Sequence, residues 1–94
     1  MDNREARSIL ERRVAELRQE PYDRLKSTWL DQPDCEQIVG DSGVEYQIEI
    51  EALWDDKVAG HLRLCASIDG GGWRVLAPLT DGFILAPDGS FIGE

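Results

Sequence analysis

The sequence predicts an α+β fold, with one or two N-terminal helices packed on one face of a 4-6 stranded antiparallel meander sheet. Three observations predict it. Apolar residues first recur at helical spacing, the apolar period then changes to two, and glycine-rich turns separate the alternating segments. The apolar face of such a sheet must be covered, and the helical stripe is the available cover. We expect a single domain over residues 1–94, with residues 1–30 as the helical layer and residues 31–94 as the sheet.

The helical layer divides at a proline. Asp2, followed three residues later by Glu5, is typical of a capping box at a helix start. Pro21 ends the first helix, because proline lacks the N–H and clashes with the preceding turn. A second short helix is predicted to begin at Pro21. The apolar stripes are Ala6, Ile9, Leu10, Val14 and Leu17 in the first helix, and Tyr22, Leu25 and Trp29 in the second.

The sheet is predicted from strict alternation of apolar and polar residues. A first strand is expected at 36–39, a long one from 44 to 54, and further strands over 58–68 and 73–79. A small hairpin over 83–86 and 90–92 is predicted around Pro87-Asp88-Gly89, a good turn sequence. The inward residues of the long strand are Val44, Tyr46, Ile48, Ile50, Ala52 and Trp54.

The turns suggest a register for this sheet. A three-residue turn, Asp55-Asp56-Lys57, would place Ile50 opposite Leu62, Glu51 opposite His61 and Glu49 opposite Arg63. A two-residue turn at Gly70-Gly71 would pair Ile68 with Trp73, Ala66 with Val75 and Leu64 with Ala77. The Asp-Gly segments are explained by turn chemistry, since they lack the spacing of calcium or phosphate loops.

In order of elements, this layout resembles a cystatin-like roll. The resemblance covers only a helix followed by a meander sheet, and no motif residues accompany it. It therefore implies an outline of the fold and no functional site.

Charge is distributed unevenly along the chain, whose formal net charge is −9. Residues 1–30 carry seven bases and six acids, whereas residues 31–94 carry three bases and thirteen acids. The acidity argues against a nucleic-acid partner, which would select a basic surface. It favours either attraction between the two layers of one fold or contact with a basic partner.

Other features of the sequence limit the cellular location and the metal or cofactor chemistry that we expect. No apolar run reaches the length of a membrane helix, and the first residues lack the apolar run of a signal peptide, so we expect a cytoplasmic protein with no membrane partner. Eight arginines against two lysines suit a GC-rich bacterial genome. Cys35, Cys65 and His61 have no metal-binding spacing, so no metal or cofactor is expected. The two cysteines should lie on strands that flank the long strand, too far apart for a disulfide.

The outward face of the sheet is the predicted interaction face. It comprises Glu49, Glu51, His61, Arg63, Cys65 and Leu76. Charge pairs across strands explain its polar residues structurally. The weak catalytic candidates are His61 and Glu51, as an imidazole base oriented by a carboxylate, but no nucleophile or oxyanion donor accompanies them.

We therefore expect a protein that is not an enzyme and that acts as a non-catalytic protein-interaction or self-associating module. A homodimer would form through the outward face or through a sheet edge. One alternative is a small ligand-binding protein or enzyme with a helix–sheet pocket lined by Trp29, Tyr46, Trp54 and Trp73. The other alternative is an acidic inhibitor or immunity-like protein for a basic partner.

Overall fold

Two helices and an antiparallel sheet make up the fold. The computed structural model describes residues 3–70 and 79–94. Its elements are α1 (Asn3–Arg18), α2 (Tyr22–Trp29), β1 (Asp34–Val39), β2 (Glu45–Asp56), β3 (His61–Gly70) and β4 (Leu79–Leu85). Each strand pairs antiparallel with the next, and the sheet order is β1-β2-β3-β4. The predicted α+β meander with helices on one face is confirmed.

Pro21 separates the two helices as predicted. Its backbone is extended, with φ −68° and ψ 154°, and it caps the N-terminus of α2. The Pro21 carbonyl accepts hydrogen bonds from the backbone N–H groups of Arg24 and Leu25, both at 3.1 Å. Proline suits this position because it has no N–H that the helix would leave unpaired. With 16 and 8 residues and charges along both, neither α1 nor α2 is long and apolar enough to traverse a bilayer.

The core lies between the helices and the inward face of the sheet. α1 packs over β3 and β4, and α2 packs over β2. Ile50, at the centre of the predicted inward row, is fully buried. The buried core residues are Ala6, Leu10, Val14, Leu17, Leu25, Trp29, Tyr46, Ile48, Ile50, Ala52, Leu62, Leu64, Ala66, Ile68, Phe83 and Leu85.

The predicted register between β2 and β3 is wrong by four residues. Ile50 lies opposite Ala66, and the turn occupies residues 57–60. Gly60 has φ +79°, a left-handed conformation that glycine adopts without strain. A bulge between Trp54 and Asp56 takes back one residue of the shift made by the longer turn, so the difference beyond the bulge is an even number. Val58, which was predicted to face inward, is fully exposed in this turn.

The predicted partner of β3 on its other side is also wrong. Leu64, Ala66 and Ile68 pair with Phe83, Asp81 and Leu79 of β4. Their predicted partners Trp73, Val75 and Ala77 lie outside the described residues. The last strand of the sheet is thus Leu79–Leu85, whose residues 83–85 were predicted as part of the small hairpin.

The hairpin after Phe83 is confirmed. The Ala86 N–H donates to the Ser90 carbonyl at 2.8 Å, and Leu85 forms a β-bridge with Phe91. The Ile92 N–H donates to the Ile84 carbonyl at 2.9 Å. Residues 90–92 therefore cover the outer edge of β4 where that strand ends.

Both cysteines are free, as predicted. Cys35 lies opposite Glu49 on one side of β2, and Cys65 lies opposite Glu51 on the other side. Two strand spacings of about 4.8 Å separate the two strands, which exceeds the reach of a disulfide.

Candidate functional site

Four of the six residues predicted for the interaction face line one groove on the outward face of the sheet. Glu49, Glu51, Arg63 and Cys65 lie together in this groove, whose volume is about 580 Å³. They share the face despite the register error, because a shift of four residues preserves the alternation of side chains. We call this cavity the outer groove.

The floor of the outer groove is formed where β3 meets β4. Cys65 lies opposite Gly82, which has no side chain to fill the space above the sheet. A Cβ added at Gly82 would overlap the carbonyl oxygen of Leu64, so only glycine fits this close approach of the two strands. Ile84 and Ile92 add apolar surface along the far side.

The rim of the outer groove is acidic. Glu49, Glu51, Asp81 and Glu94 line it, and Arg63 is the one base among its described lining residues. Arg63 is already paired with Asp55 at 2.5 Å. Within residues 3–70 and 79–94, Glu49 and Glu51 form no ion pair. The rim therefore carries uncompensated negative charge.

Arg18 at the end of α1 fixes the far wall of the groove. Its guanidinium lies 4.0 Å from the centroid of the Phe91 ring and donates to both carboxylate oxygens of Glu94. These hydrogen bonds lower the pKa of the Glu94 carboxyl group. Phe91 also packs edge-on against Phe83, with 5.5 Å between the ring centroids. The segment 91–94 is thus held in place by an arginine and two aromatic rings.

The thiol in the floor is poorly suited to covalent chemistry. Burial raises the pKa of Cys65, and the neighbouring Glu51 carboxylate raises it further against the opposing effect of Arg63. The thiol is therefore protonated near neutral pH, whereas nucleophiles and metal ligands are thiolates. Across the described part of the chain, no three His, Cys, Asp or Glu side chains converge to hold a metal ion.

The structure does not bring the predicted catalytic candidates together. Glu51 lies opposite Cys65, whereas His61 begins β3 and lies opposite Asp56. The proposed orientation of the His61 imidazole by Glu51 is therefore wrong, and so is the predicted pairing of Glu49 with Arg63, since Glu49 faces Ser67. Leu76, the sixth predicted residue of the interaction face, lies outside the described residues.

Sequence reasoning missed the side of the groove contributed by β4 and the segment that follows it. Gly82, Ile84, Ile92 and Glu94 line this side. The sequence pattern around Phe83 indicates a strand, but the apolar alternation over 73–79 predicts a different partner for β3. The pairing of Arg18 with Glu94 spans 76 positions and leaves no local signal in the sequence.

Comparison of the chain with known protein families, with curated proteins and with solved structures finds no significant match.

Proposed function

We propose that this protein is a non-catalytic protein-interaction module that binds a basic polypeptide segment in the outer groove. The observation that carries the proposal is the uncompensated pair Glu49 and Glu51 beside a partly apolar floor. Glu49 and Glu51 are two residues apart on one strand, so their carboxylates lie on the same face. Two adjacent negative charges attract a cationic segment and disfavour an acidic one.

The groove suits lysine or arginine side chains for a second reason. The stems of these side chains are apolar and their ends are charged, so they can pack along hydrophobic surface while the charge stays at a polar rim. Ile84 and Ile92 offer such surface beside the carboxylates. Binding of a basic segment would therefore combine burial of apolar surface with electrostatic complementarity.

The chemistry of the groove supports binding rather than catalysis. Its thiol, Cys65, is held in the protonated form by burial and by Glu51. His61 of the predicted dyad lies opposite Asp56, whereas Glu51 lies opposite Cys65. The predicted general base, His61, therefore has no orienting carboxylate from Glu51.

The proposal is tested with a short lysine- and arginine-rich peptide as the probe, titrated into isotopically labelled protein. We expect amide shifts at Glu49, Glu51, Cys65 and Ile84, and affinity that falls as salt rises. The double variant Glu49→Gln and Glu51→Gln should weaken binding by about tenfold, which corresponds to about 1.4 kcal/mol.

The matched control removes the same charge from the helical layer. Glu11→Gln combined with Asp23→Asn changes two exposed carboxylates that lie far from the groove in sequence. This control should bind the peptide as the unmodified protein does. Equal weakening in both double variants would mean that the peptide responds only to net charge, and the proposal would then be wrong.

A further inference from the structure

The two edge strands of the sheet, β1 and β4, differ in how far their outer edges are covered. Residues 90–92 bridge to the end of β4 and cover its outer edge there. β1 lies at the opposite end of the sheet and pairs only with β2 in the part of the chain that the structure describes. An uncovered edge strand presents backbone groups to which another strand can add.

The backbone groups that face outward from β1 can be assigned. Gly40 donates its N–H to the carbonyl of Val44 at 2.8 Å. Ladder bonds alternate along an antiparallel pair, so Ile38, Glu36 and Asp34 are the positions bonded to β2. The N–H and carbonyl groups of Cys35, Gln37 and Val39 therefore point away from β2. The Cys35 N–H already donates to Asp34 Oδ1 at 2.8 Å, so an added strand would bond to the Cys35 carbonyl and to the backbone groups of Gln37 and Val39.

A groove with apolar and charged residues accompanies this edge on the helix side. A groove of about 560 Å³ runs between α1 and β1 and is lined by Ile9, Ile38, Val39 and Arg12, among others. Val39 is 65% exposed, although it is a β-branched residue in a strand. Arg12 is exposed and forms no ion pair with any described residue.

We infer that β1 pairs antiparallel with β1 of a second copy of this chain, so that the two sheets join into one across a two-fold axis. An axis perpendicular to the sheet keeps both helical layers on the same side. With the axis at Gln37, Gln37 pairs with Gln37 of the second copy and Val39 pairs with Cys35 of the second copy, so the outward groups of Gln37 and the Val39 N–H gain partners in both copies at once. The contact is therefore closed, and it does not propagate into fibres.

Charge complementarity favours a second copy as the occupant. Asp34 belongs to the inward row of β1 and is exposed, with no ion pair to a described residue. With the axis at Gln37, Asp34 of the second copy lies opposite Gly40. Gly40 lines the groove that contains Arg12. Each copy thus brings an unpaired carboxylate to an unpaired guanidinium of the other.

Glu36 is the feature of β1 that would oppose such pairing, because inward charges protect edge strands. Its carboxylate, however, is bound by Arg13 through two hydrogen bonds of 2.9 and 2.8 Å. The charge is neutralised within its own copy and is directed toward α1. It therefore does not repel the same residue of an added strand.

The test is sedimentation of the purified protein over a wide range of concentration. We expect a reversible monomer–dimer equilibrium. Gln37→Pro removes one outward N–H and places proline where edge strands tolerate it, so the fold should remain while the dimer weakens by about tenfold or more. The matched control Gln37→Thr keeps the N–H and should dimerise as the unmodified chain does.

Hydrogen exchange provides a second measurement that needs no variant. Protection of the Gln37 and Val39 amides should rise with protein concentration. The amides bonded to β2, and the Cys35 amide that donates to Asp34, should change little. A protein that stays monomeric at every concentration overturns the inference. So does a dimer that Gln37→Pro leaves intact, or one whose protection rises outside β1.

Discussion

Both carboxylate oxygens of Glu36 accept hydrogen bonds from the guanidinium of Arg13, at 2.9 and 2.8 Å. The pair joins α1 to the edge strand β1, and both side chains are less than one-third exposed. The hydrogen bond to Glu36 is the main reason that the pKa of Arg13 is raised. Beside the apolar core, this contact fixes the helix over the sheet edge.

Replacing Arg13 by Met should lower the free energy of unfolding by about 1–2 kcal/mol, because the half-buried Glu36 carboxylate would lose its charged donors. The control is Arg24→Met, since Arg24 is exposed and its Nη1 lies 3.8 Å from Oε1 of Glu20. That change should cost less than about 0.5 kcal/mol. Urea denaturation of both variants measures the difference, and equal losses would contradict the assigned role of Arg13.

Tyr46→Phe should destabilise the domain by about 1–2 kcal/mol. The Tyr46 side chain is 2% exposed, and its hydroxyl donates to a Glu5 carboxylate oxygen at 2.8 Å. That same oxygen accepts a hydrogen bond from the Ser42 hydroxyl at 2.6 Å. Tyr22→Phe is the comparison: its hydroxyl donates to the Gly60 carbonyl at 2.6 Å at a half-buried site that water can reach. Thermal denaturation should show the larger loss for Tyr46→Phe.

Gly82→Ala should cost about 1–3 kcal/mol or more, because the added methyl group would overlap the Leu64 carbonyl and force β3 and β4 apart. Gly43→Ala is a suitable control. Gly43 has φ +88° but open space around its Cβ position, so only backbone strain of about 1 kcal/mol applies. If Gly82→Ala is the milder change in chemical denaturation, the close approach of the two strands is wrong.

Cys65 should react with iodoacetamide more slowly than Cys35. Cys35 is exposed, whereas Cys65 is partly buried and its pKa is raised by that burial. Alkylation proceeds through the thiolate, so a raised pKa lowers the reactive fraction near neutral pH. Mass spectrometry of the single variants Cys35→Ser and Cys65→Ser follows each thiol separately.

The raised pKa of Cys65 also predicts that stability depends on pH. The unfolded chain ionises Cys65 at the ordinary thiol pKa, below the raised value in the folded protein. The free energy of unfolding should therefore fall as pH rises from the ordinary thiol pKa through the raised one. Cys65→Ser should remove this part of the alkaline decline, and an unchanged decline would argue against burial of the thiol.

The sequence was sufficient to predict which residues face the core, because that follows from periodicity alone. Most residues of the stripes of α1 and α2 and of the inward row of β2 are buried as predicted, and Ile9, Tyr22, Val44 and Trp54 are partly buried against the same core. The register was not determined by the same pattern. Shifts by an even number of residues keep Ile50 inward, so the apolar alternation is equally satisfied whether it faces Leu62 or Ala66.

In the candidate site too, the sequence predicts the face of the sheet on which a residue lies but not its partner on the next strand. Glu49, Glu51, Arg63 and Cys65 were correctly placed on one face, since an even shift leaves the face unchanged. The specific pairs were wrong, because they depended on the turn, which includes Gly60 and is longer than the predicted one. The wall held by Arg18 depends on a contact between distant segments, which periodicity does not encode.

The length of β2 has a consequence for cooperativity. This strand runs for 12 residues, and it carries the bridge to Leu30 at Ala52 as well as the inward Tyr46 that reaches α1 through Glu5. The two helices thus pack on different parts of the same strand. Unfolding of either helix alone would expose part of β2, so circular dichroism and tryptophan fluorescence should report one coincident unfolding transition.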